Sequence, residues 1–218
     1  YDYFKTNSKI RYENNFVYFD KRKISFKELI NTAYLNRIPL SSSGFYKTDK
    51  INVNTKTLQG RPFLYFTYGA AVTEVIIDKL TGENKIVQVD IIHDVGNSIN
   101  RRIDIGQIEG GYIQGLGWLT TEEVSWKSDG ILTTHSPSTY KIPTAGETPF
   151  KFNVEIYDRG FNKEKVINRS KAVGEPPFML AISSFIAIKD AVFNANNNKD
   201  SNNLIAPATA ENILKSLN

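Results

Sequence analysis

The sequence predicts an α+β fold in which a mixed sheet and helices form two layers. Candidate strands and candidate helices interleave along the chain without the regular spacing of right-handed βαβ units. Of the 218 residues, 40% are hydrophobic and 12% are aromatic, a composition typical of folded globular proteins. A chain of this length can bury the core of one ordinary domain or of two small lobes.

Residues 1–39 predict a leading strand and a helix. The aromatic and β-branched residues 16–19 favour a strand, which a turn at residues 20–22 would close. Ser25 and Glu28 have the spacing of a capping box, so a helix should begin here and end before Pro39. The apolar residues with helical spacing in this segment are Phe26, Leu29, Ile30, Ala33 and Tyr34.

Two apolar stretches in the middle of the chain predict a hairpin. The first covers residues 63–77, with a break of small residues at 69–71, and the second covers residues 85–93. Their nearly continuous apolar content predicts burial on both faces for part of their length. Further strands are predicted at residues 122–126, 131–134 and 152–156.

A glycine-rich helix is predicted between residues 103 and 118. Ile105, Ile108, Tyr112 and Leu116 follow helical spacing, but five glycines lie among residues 106–117. Each glycine costs about 1 kcal/mol relative to alanine in a helix interior. Either neighbouring backbone packs against these glycines or a ligand comes close to them.

Glu175 has an unusual setting. It follows Gly174, which can take a tight backbone conformation, and precedes Pro176 and Pro177, which suit the first turn of a helix. The apolar residues 178–188 then predict a buried helix. Two interpretations stay open: the carboxylate complements the helix N-terminus, which stabilises by about 0.3–1 kcal/mol, or it is a general base held in a pocket.

The end of the chain predicts a flexible asparagine-rich loop over residues 194–206 and a terminal helix within residues 207–218. Residues 40–193 then form a core segment that carries the candidate site. The chain begins without an initiator Met or a signal pattern, so we expect a piece of a longer cytoplasmic polypeptide.

The composition excludes several classes of site. The chain has no cysteine and two histidines, His93 and His135. Disulfides, thiolate nucleophiles, cysteine-ligated clusters and multi-histidine metal sites are therefore excluded within it. The net charge of +4 comes from scattered basic residues, which argues against a nucleic-acid partner. We also expect no membrane span, because no apolar run approaches the length needed to cross a bilayer.

Three motifs, in this order, closely resemble the C-terminal part of xanthine dehydrogenases. They are residues 106–117, residues 137–143 (Pro-Ser-Thr-Tyr-Lys-Ile-Pro) and residues 171–177 (Lys-Ala-Val-Gly-Glu-Pro-Pro). The resemblance runs from about residue 40 to residue 218, and its flanking matches are residues 43–46, 68–71, 93–96 and 207–209. The sequence departs from the family at residues 100–102, where Asn-Arg-Arg stands in place of Asn-Pro.

The resemblance implies a molybdopterin-dependent hydroxylase, with residues 1–218 as the C-terminal lobe of its cofactor-binding domain. Glu175 matches the family's general base, Gln107 matches a glutamine beside the cofactor, and Gly106 and Gly174 are the other expected cofactor-binding residues. No side chain is expected to bind the metal, because the pterin dithiolene holds the molybdenum. The cytosine dinucleotide form of the pterin is one option. The 2Fe-2S clusters and FAD are expected on partner domains or subunits.

The implied reaction is oxidation of purines, hypoxanthine and xanthine to urate, with oxygen from water. Two alternatives stay open: a hydroxylase of an aldehyde or another N-heterocycle in the same family, and a non-catalytic scaffold or assembly module. The family's pterin-binding loops and purine clamp lie upstream of the matched region. We therefore expect this chain alone to be incomplete and inactive.

Overall fold

The computed structural model describes residues 4–196 and 203–217, which divide after Lys47 into two compact units. The predicted α+β class is confirmed, because helices accompany two antiparallel sheets and one mixed sheet. The first unit extends beyond the predicted leading segment, which was expected to end at residue 39.

The first unit contains a three-stranded antiparallel sheet followed by one helix. The predicted strand is confirmed as β2, and the sheet buries Val17 and Phe19. Ser25 caps the helix as predicted, since its hydroxyl accepts a hydrogen bond from the Glu28 amide at 3.1 Å. No residue of the helix is buried, although its apolar stripe is present. The elements are β1 (Arg11–Glu13), β2 (Phe16–Phe19), β3 (Arg22–Ser25) and α1 (Phe26–Leu35).

The second unit is built on a mixed three-stranded sheet. In it β6 pairs antiparallel with β7, and β7 pairs parallel with β8. Helix α2 packs against this sheet, with Ile108, Tyr112 and Leu116 in the same buried cluster as Val89 and Ile91 of β7. The strands are β4 (Asn52–Asn54), β5 (Gln59–Arg61), β6 (Gly69–Ile77), β7 (Asn84–His93) and β8 (Lys151–Ile156), and the helices are α2 (Arg101–Thr120), α3 (Ile182–Ala195) and α4 (Ala210–Leu217).

The predicted strand at residues 63–68 was wrong. This segment is an irregular loop, because its carbonyl groups bond to a side chain and to another loop and not to a neighbouring strand. The Arg61 guanidinium donates to the carbonyl oxygens of Phe63 and Leu64, and the Asp94 amide donates to that of Tyr68. The hairpin itself is confirmed from Gly69 onward.

Two other strand predictions need correction. Along β6, half-buried residues alternate with exposed ones and none is fully buried, so the prediction of burial on both faces was wrong for this strand. Residues 122–134 form a turn with one isolated bridge between Trp126 and Leu132, in place of two regular strands.

The glycine-rich helix is confirmed as α2. Asn100 caps its N-terminus, and the Asn100 side chain accepts a hydrogen bond from the Arg102 amide at 3.2 Å. Neighbouring backbone explains two of its glycines. A Cβ atom at Gly115 would lie 2.3 Å from the Phe178 carbonyl oxygen, and one at Gly111 would lie 3.0 Å from the Gly174 carbonyl oxygen. The segment that carries Glu175 therefore rests directly on α2.

The apolar stretch after Glu175 begins as a 3₁₀ turn (Pro176–Ala181) and continues as α3. The prediction of burial all round was wrong, because one face is buried while Met179, Ile182 and Ile186 are exposed. The buried residues of the turn and helix are Pro177, Ala181, Ser184, Ile188 and Val192.

By length and composition, Pro176–Ala195 is the one helical stretch of the described residues that could cross a membrane. The expectation that no run reaches this length was wrong here. A helix that packs one face against a protein core can have the same length and composition. Here the buried face includes Ser184, whose hydroxyl is hydrogen-bonded to that of Tyr112 in the core.

The predicted terminal helix is confirmed as α4, where the Thr209 hydroxyl accepts from the Asn212 amide at 3.3 Å. The Ala208 amide joins this end of the chain to α2 by donating to the Leu119 carbonyl at 2.7 Å. Of the loop that was predicted to be flexible, residues 194–206, residues 197–202 lie outside the described residues. Residues 194–195 belong to the end of α3.

Candidate active site

Glu175 is the N-cap residue immediately before the 3₁₀ turn, and it is exposed. Its carboxylate makes no hydrogen bond to the free amides of that turn. Among the described residues it also has no ion-pair partner. The carboxylate is therefore not used as a side-chain cap, and it is free to act on another group.

A cleft of about 1130 Å³ opens beside this carboxylate. One wall is the loop of residues 62–67, and the other is the segment from Ala172 to Met179. Gln114 of α2 also lines it. The walls meet at Ala172, whose amide donates to the Tyr65 hydroxyl at 3.0 Å. The cleft thus places Glu175 opposite a wall with three aromatic residues, Phe63, Tyr65 and Phe66, which we call the aromatic wall.

The exposed face of α2 brings Gln107 to the same region. A Cβ atom at Gly174 would lie 3.2 Å from Gln107 Oε1, which is closer than ordinary packing allows. Gly174 thus lies in close contact with the Gln107 side chain, and its φ is not positive, so the structure does not show the tight backbone conformation that a glycine permits. Gly106 and Gly110 lie on the same exposed face, and a Cβ atom at either would meet nothing within 4 Å.

Lys171 lies four residues before Glu175 in the sequence, but it does not pair with that carboxylate. The structure instead pairs it with Asp94, with 2.5 Å between Lys171 Nζ and Asp94 Oδ2. Both side chains are more than nine-tenths buried. Sequence reasoning missed this pair, although both residues stand inside the motifs that carry the resemblance.

The aromatic wall of the cleft has its own anchor. Glu164 accepts from Lys50 at 2.5 Å and from Arg61 at 2.9 Å, and Arg61 in turn holds the loop carbonyls of Phe63 and Leu64. The hydrogen bonds from Lys50 and Arg61 hold the pKa of Glu164 below its usual range. No local pattern marks Glu164 in the sequence, because its partners are more than one hundred residues away.

His93 is a buried residue at the end of β7 and does not line the cleft. Burial lowers its pKa, and the neighbouring Asp94 carboxylate opposes that effect. Its Nδ1 atom has no hydrogen-bond partner among the described residues. A Cβ atom at Gly69 would lie 2.9 Å from its ring, so this histidine contributes to packing.

The hydroxyl-rich loop of residues 135–144 lies away from the Glu175 cleft. Tyr140 donates to Glu122 at 2.7 Å, which raises the pKa of Tyr140, and Lys141 pairs with Glu147 at 2.6 Å. Lys141 and Pro143 line a second pocket of about 630 Å³. Within residues 4–196 and 203–217, no group of three or more His, Cys, Asp or Glu side chains could hold a metal ion.

Comparison with known proteins gives consistent results. The sequence model of the family described as the molybdopterin cofactor-binding domain matches residues 4–149. The chain is 48% identical over 195 residues to xanthine dehydrogenase/oxidase of Felis catus, covering 87% of the chain and 15% of that protein. It is 48% identical over 199 residues to xanthine dehydrogenase of Oryza sativa subsp. japonica, covering 87% and 14%. The chain thus spans about 15% of the length of these curated relatives.

A solved structure shares the fold. Quinoline 2-oxidoreductase from Pseudomonas putida 86 superimposes with a TM-score of 0.63 at 24% identity, covering 95% of this chain and 25% of that one. The motif around Glu175 lies outside the residues that the family model matches, but the structural match extends over nearly the whole chain.

Proposed function

The chain belongs to the molybdopterin cofactor-binding domain of the xanthine dehydrogenase family, and on that premise we propose that it supplies Glu175 as the general base of a molybdenum hydroxylase that oxidises purines. The observation that carries the proposal is the free carboxylate of Glu175 beside the cleft. A general base must come within about 2.6–3.2 Å of the proton that it accepts. A rigid mount and an unpaired carboxylate serve that purpose.

The residues around the cleft fit a large anionic pterin cofactor. The open surface at Gly106 and Gly110 lets a ligand approach the α2 backbone closely, and the Gln107 amide lies beside Gly174. We propose that Gln107, Gly106 and Gly174 contact the cofactor. When bound, the molybdenum–pterin group supplies the oxygen-transfer and two-electron chemistry, and its dithiolene sulfurs hold the metal.

The chain's own part in the reaction is a proton transfer. Each purine oxidation adds one oxygen from water to a ring carbon and releases two electrons and two protons. Glu175 accepts one of these protons at its carboxylate, so it must be ionised when the substrate binds. The electrons leave through 2Fe-2S clusters and FAD on partner domains or subunits of a cytoplasmic enzyme.

The substrate class is tested on the full protein that contains this chain. We expect it to oxidise hypoxanthine and xanthine to urate with a kcat/KM at least about tenfold above that for quinoline or benzaldehyde, because about 1.4 kcal/mol of preferential transition-state binding gives that ratio. A preference for quinoline or the aldehyde would instead show that the substrate is another N-heterocycle or an aldehyde. Absence of turnover with all three classes in molybdenum-loaded protein would favour the scaffold alternative.

Replacing Gln107 by alanine tests the second site residue. The variant loses a side-chain amide that we place against the cofactor, so turnover should fall by about tenfold, which is the cost of one lost hydrogen bond of about 1.4 kcal/mol. The measurement is kcat together with molybdenum content. Gln59→Ala, at an exposed position on β5, is the matched control and should leave both values unchanged. An unchanged rate in Gln107→Ala would remove Gln107 from the site.

A further inference from the structure

The geometry points to the buried pair of Lys171 and Asp94 as a positioning pair that fixes the backbone on which Glu175 is mounted. This inference deepens the proposed function, on which it rests for the role of Glu175. Neither residue lines the cleft, so neither is a catalytic residue. They would affect the reaction only by fixing the position of the Glu175 carboxylate.

The pair joins two segments that are 77 residues apart. Lys171 Nζ lies 2.5 Å from Asp94 Oδ2, and the two side chains are 8% and 9% exposed. The ammonium also lies 5.2 Å from the centre of the Tyr68 ring. Removing two charges from water is costly, and their attraction offsets that cost when the geometry is good and further hydrogen bonds are made.

One such bond is made to the Asp94 carboxylate, and backbone hydrogen bonds lie directly beside the pair. Asp94 Oδ1 accepts from the Gly96 amide at 2.8 Å, which fixes the loop after β7. The Lys171 amide donates to the Val95 carbonyl at 2.8 Å, and Gly96 forms a bridge with Ser170. The ion pair and these backbone hydrogen bonds together hold the loop after β7 against the segment that leads to Glu175.

The other end of the same segment is fixed by packing. Beyond Glu175, Pro177 and Phe178 rest on Gly111 and Gly115 of α2. The Glu175 carbonyl accepts from the Phe178 amide at 2.9 Å, but its carboxylate makes no hydrogen bond to the amides of the turn. The side chain therefore does nothing to hold the residue in place. The position of Glu175 is therefore set by contacts on its two sides. On the N-terminal side these are the ion pair and the Ala172–Tyr65 hydrogen bond, and on the C-terminal side it is the packing on α2.

The rate of proton transfer to a base held in this way depends on the position of the backbone that carries it. A displacement of about 1 Å at a reacting group can lower a rate by about 10²-fold. Loss of the anchor should therefore lower kcat and leave substrate binding little changed. A pair that acted through its charge would instead shift the pH dependence of the reaction, because the charge would change the pKa of Glu175.

The experiment uses the full holoenzyme and the double variant Asp94→Asn/Lys171→Met. Removing both charges leaves no uncompensated buried charge, so this variant should fold where either single variant would be strongly destabilised. We expect kcat to fall about 10²-fold, from a displacement of about 1 Å, with KM changed by less than about threefold and the acidic midpoint of the kcat profile unmoved. We also expect hydrogen exchange of the amides in residues 169–178 to become at least about tenfold faster, as local opening becomes easier.

The control is Lys215→Met, which removes the exposed pair of Lys215 and Glu211 on α4 and should change neither exchange nor kcat. Unchanged exchange in the double variant would overturn the inference, whether or not the enzyme turns over. Faster exchange with an unchanged kcat would overturn it as well, and a shifted pH midpoint with an unchanged plateau would assign the pair an electrostatic role. A wild-type holoenzyme that exchanges normally but oxidises none of its expected substrates would overturn the proposed function and leave the anchoring role supported by exchange alone.

Discussion

Replacing Glu175 by glutamine is expected to lower turnover of the assembled enzyme by about 10²–10⁴-fold, which is the usual contribution of a general base. The amide has nearly the shape of the carboxylate but cannot accept the proton. The carboxylate has no hydrogen bond or ion pair among the described residues, so the change costs the folded chain little. The measurements are kcat with the best substrate and molybdenum content, and the metal content should stay at the wild-type value.

Glu123→Gln is the matched control, since Glu123 is an exposed glutamate that does not line the cleft. It should leave turnover unchanged. Loss of the cofactor from Glu175→Gln would show that Glu175 has a structural role, and a wild-type rate with full metal content would rule it out as the base.

A methyl group at Gly115 should destabilise the protein, whereas the same change at Gly110 should not. The added Cβ atom at Gly115 would lie 2.3 Å from the Phe178 carbonyl oxygen and 2.8 Å from Ala181 Cβ, so backbone must move. Overpacking of this kind costs about 1–3 kcal/mol, and here it displaces the segment that carries Glu175. Turnover of Gly115→Ala should therefore fall together with its stability.

At Gly110 the added methyl group meets open space, and alanine is favoured over glycine by about 1 kcal/mol in a helix interior. Thermal unfolding of the cofactor-free protein should therefore give a lower Tm for Gly115→Ala and an equal or higher Tm for Gly110→Ala. Equal effects of the two substitutions would contradict the packing of the 3₁₀ turn on α2.

Local pattern was enough to predict the elements whose own residues determine them. The Ser25 cap, strand β2 and helix α2 follow from capping spacing and from apolar periodicity. The segment at residues 63–68 has the composition of a strand but is a loop, because the side chain of the nearby Arg61 and the amide of the distant Asp94 donate to its carbonyls. Composition alone does not record such partners.

For the candidate site, local sequence signals predicted the backbone around Glu175 but not the long-range contacts that hold it. The prolines after Glu175 and the glycines of α2 are sequence signals of a stiff turn packed closely on a helix, and the structure places them in contact. The pairing of Lys171 with Asp94 could not be foreseen, because residues so far apart in sequence leave no periodic signal.

Molybdenum analysis of the full protein, purified from its native source with this chain present, tests the central claim most directly. We expect about one molybdenum per assembled copy, since the proposal places one cofactor beside each Glu175. The absence of molybdenum from properly matured protein would contradict the account and leave the chain as a scaffold that retains the fold.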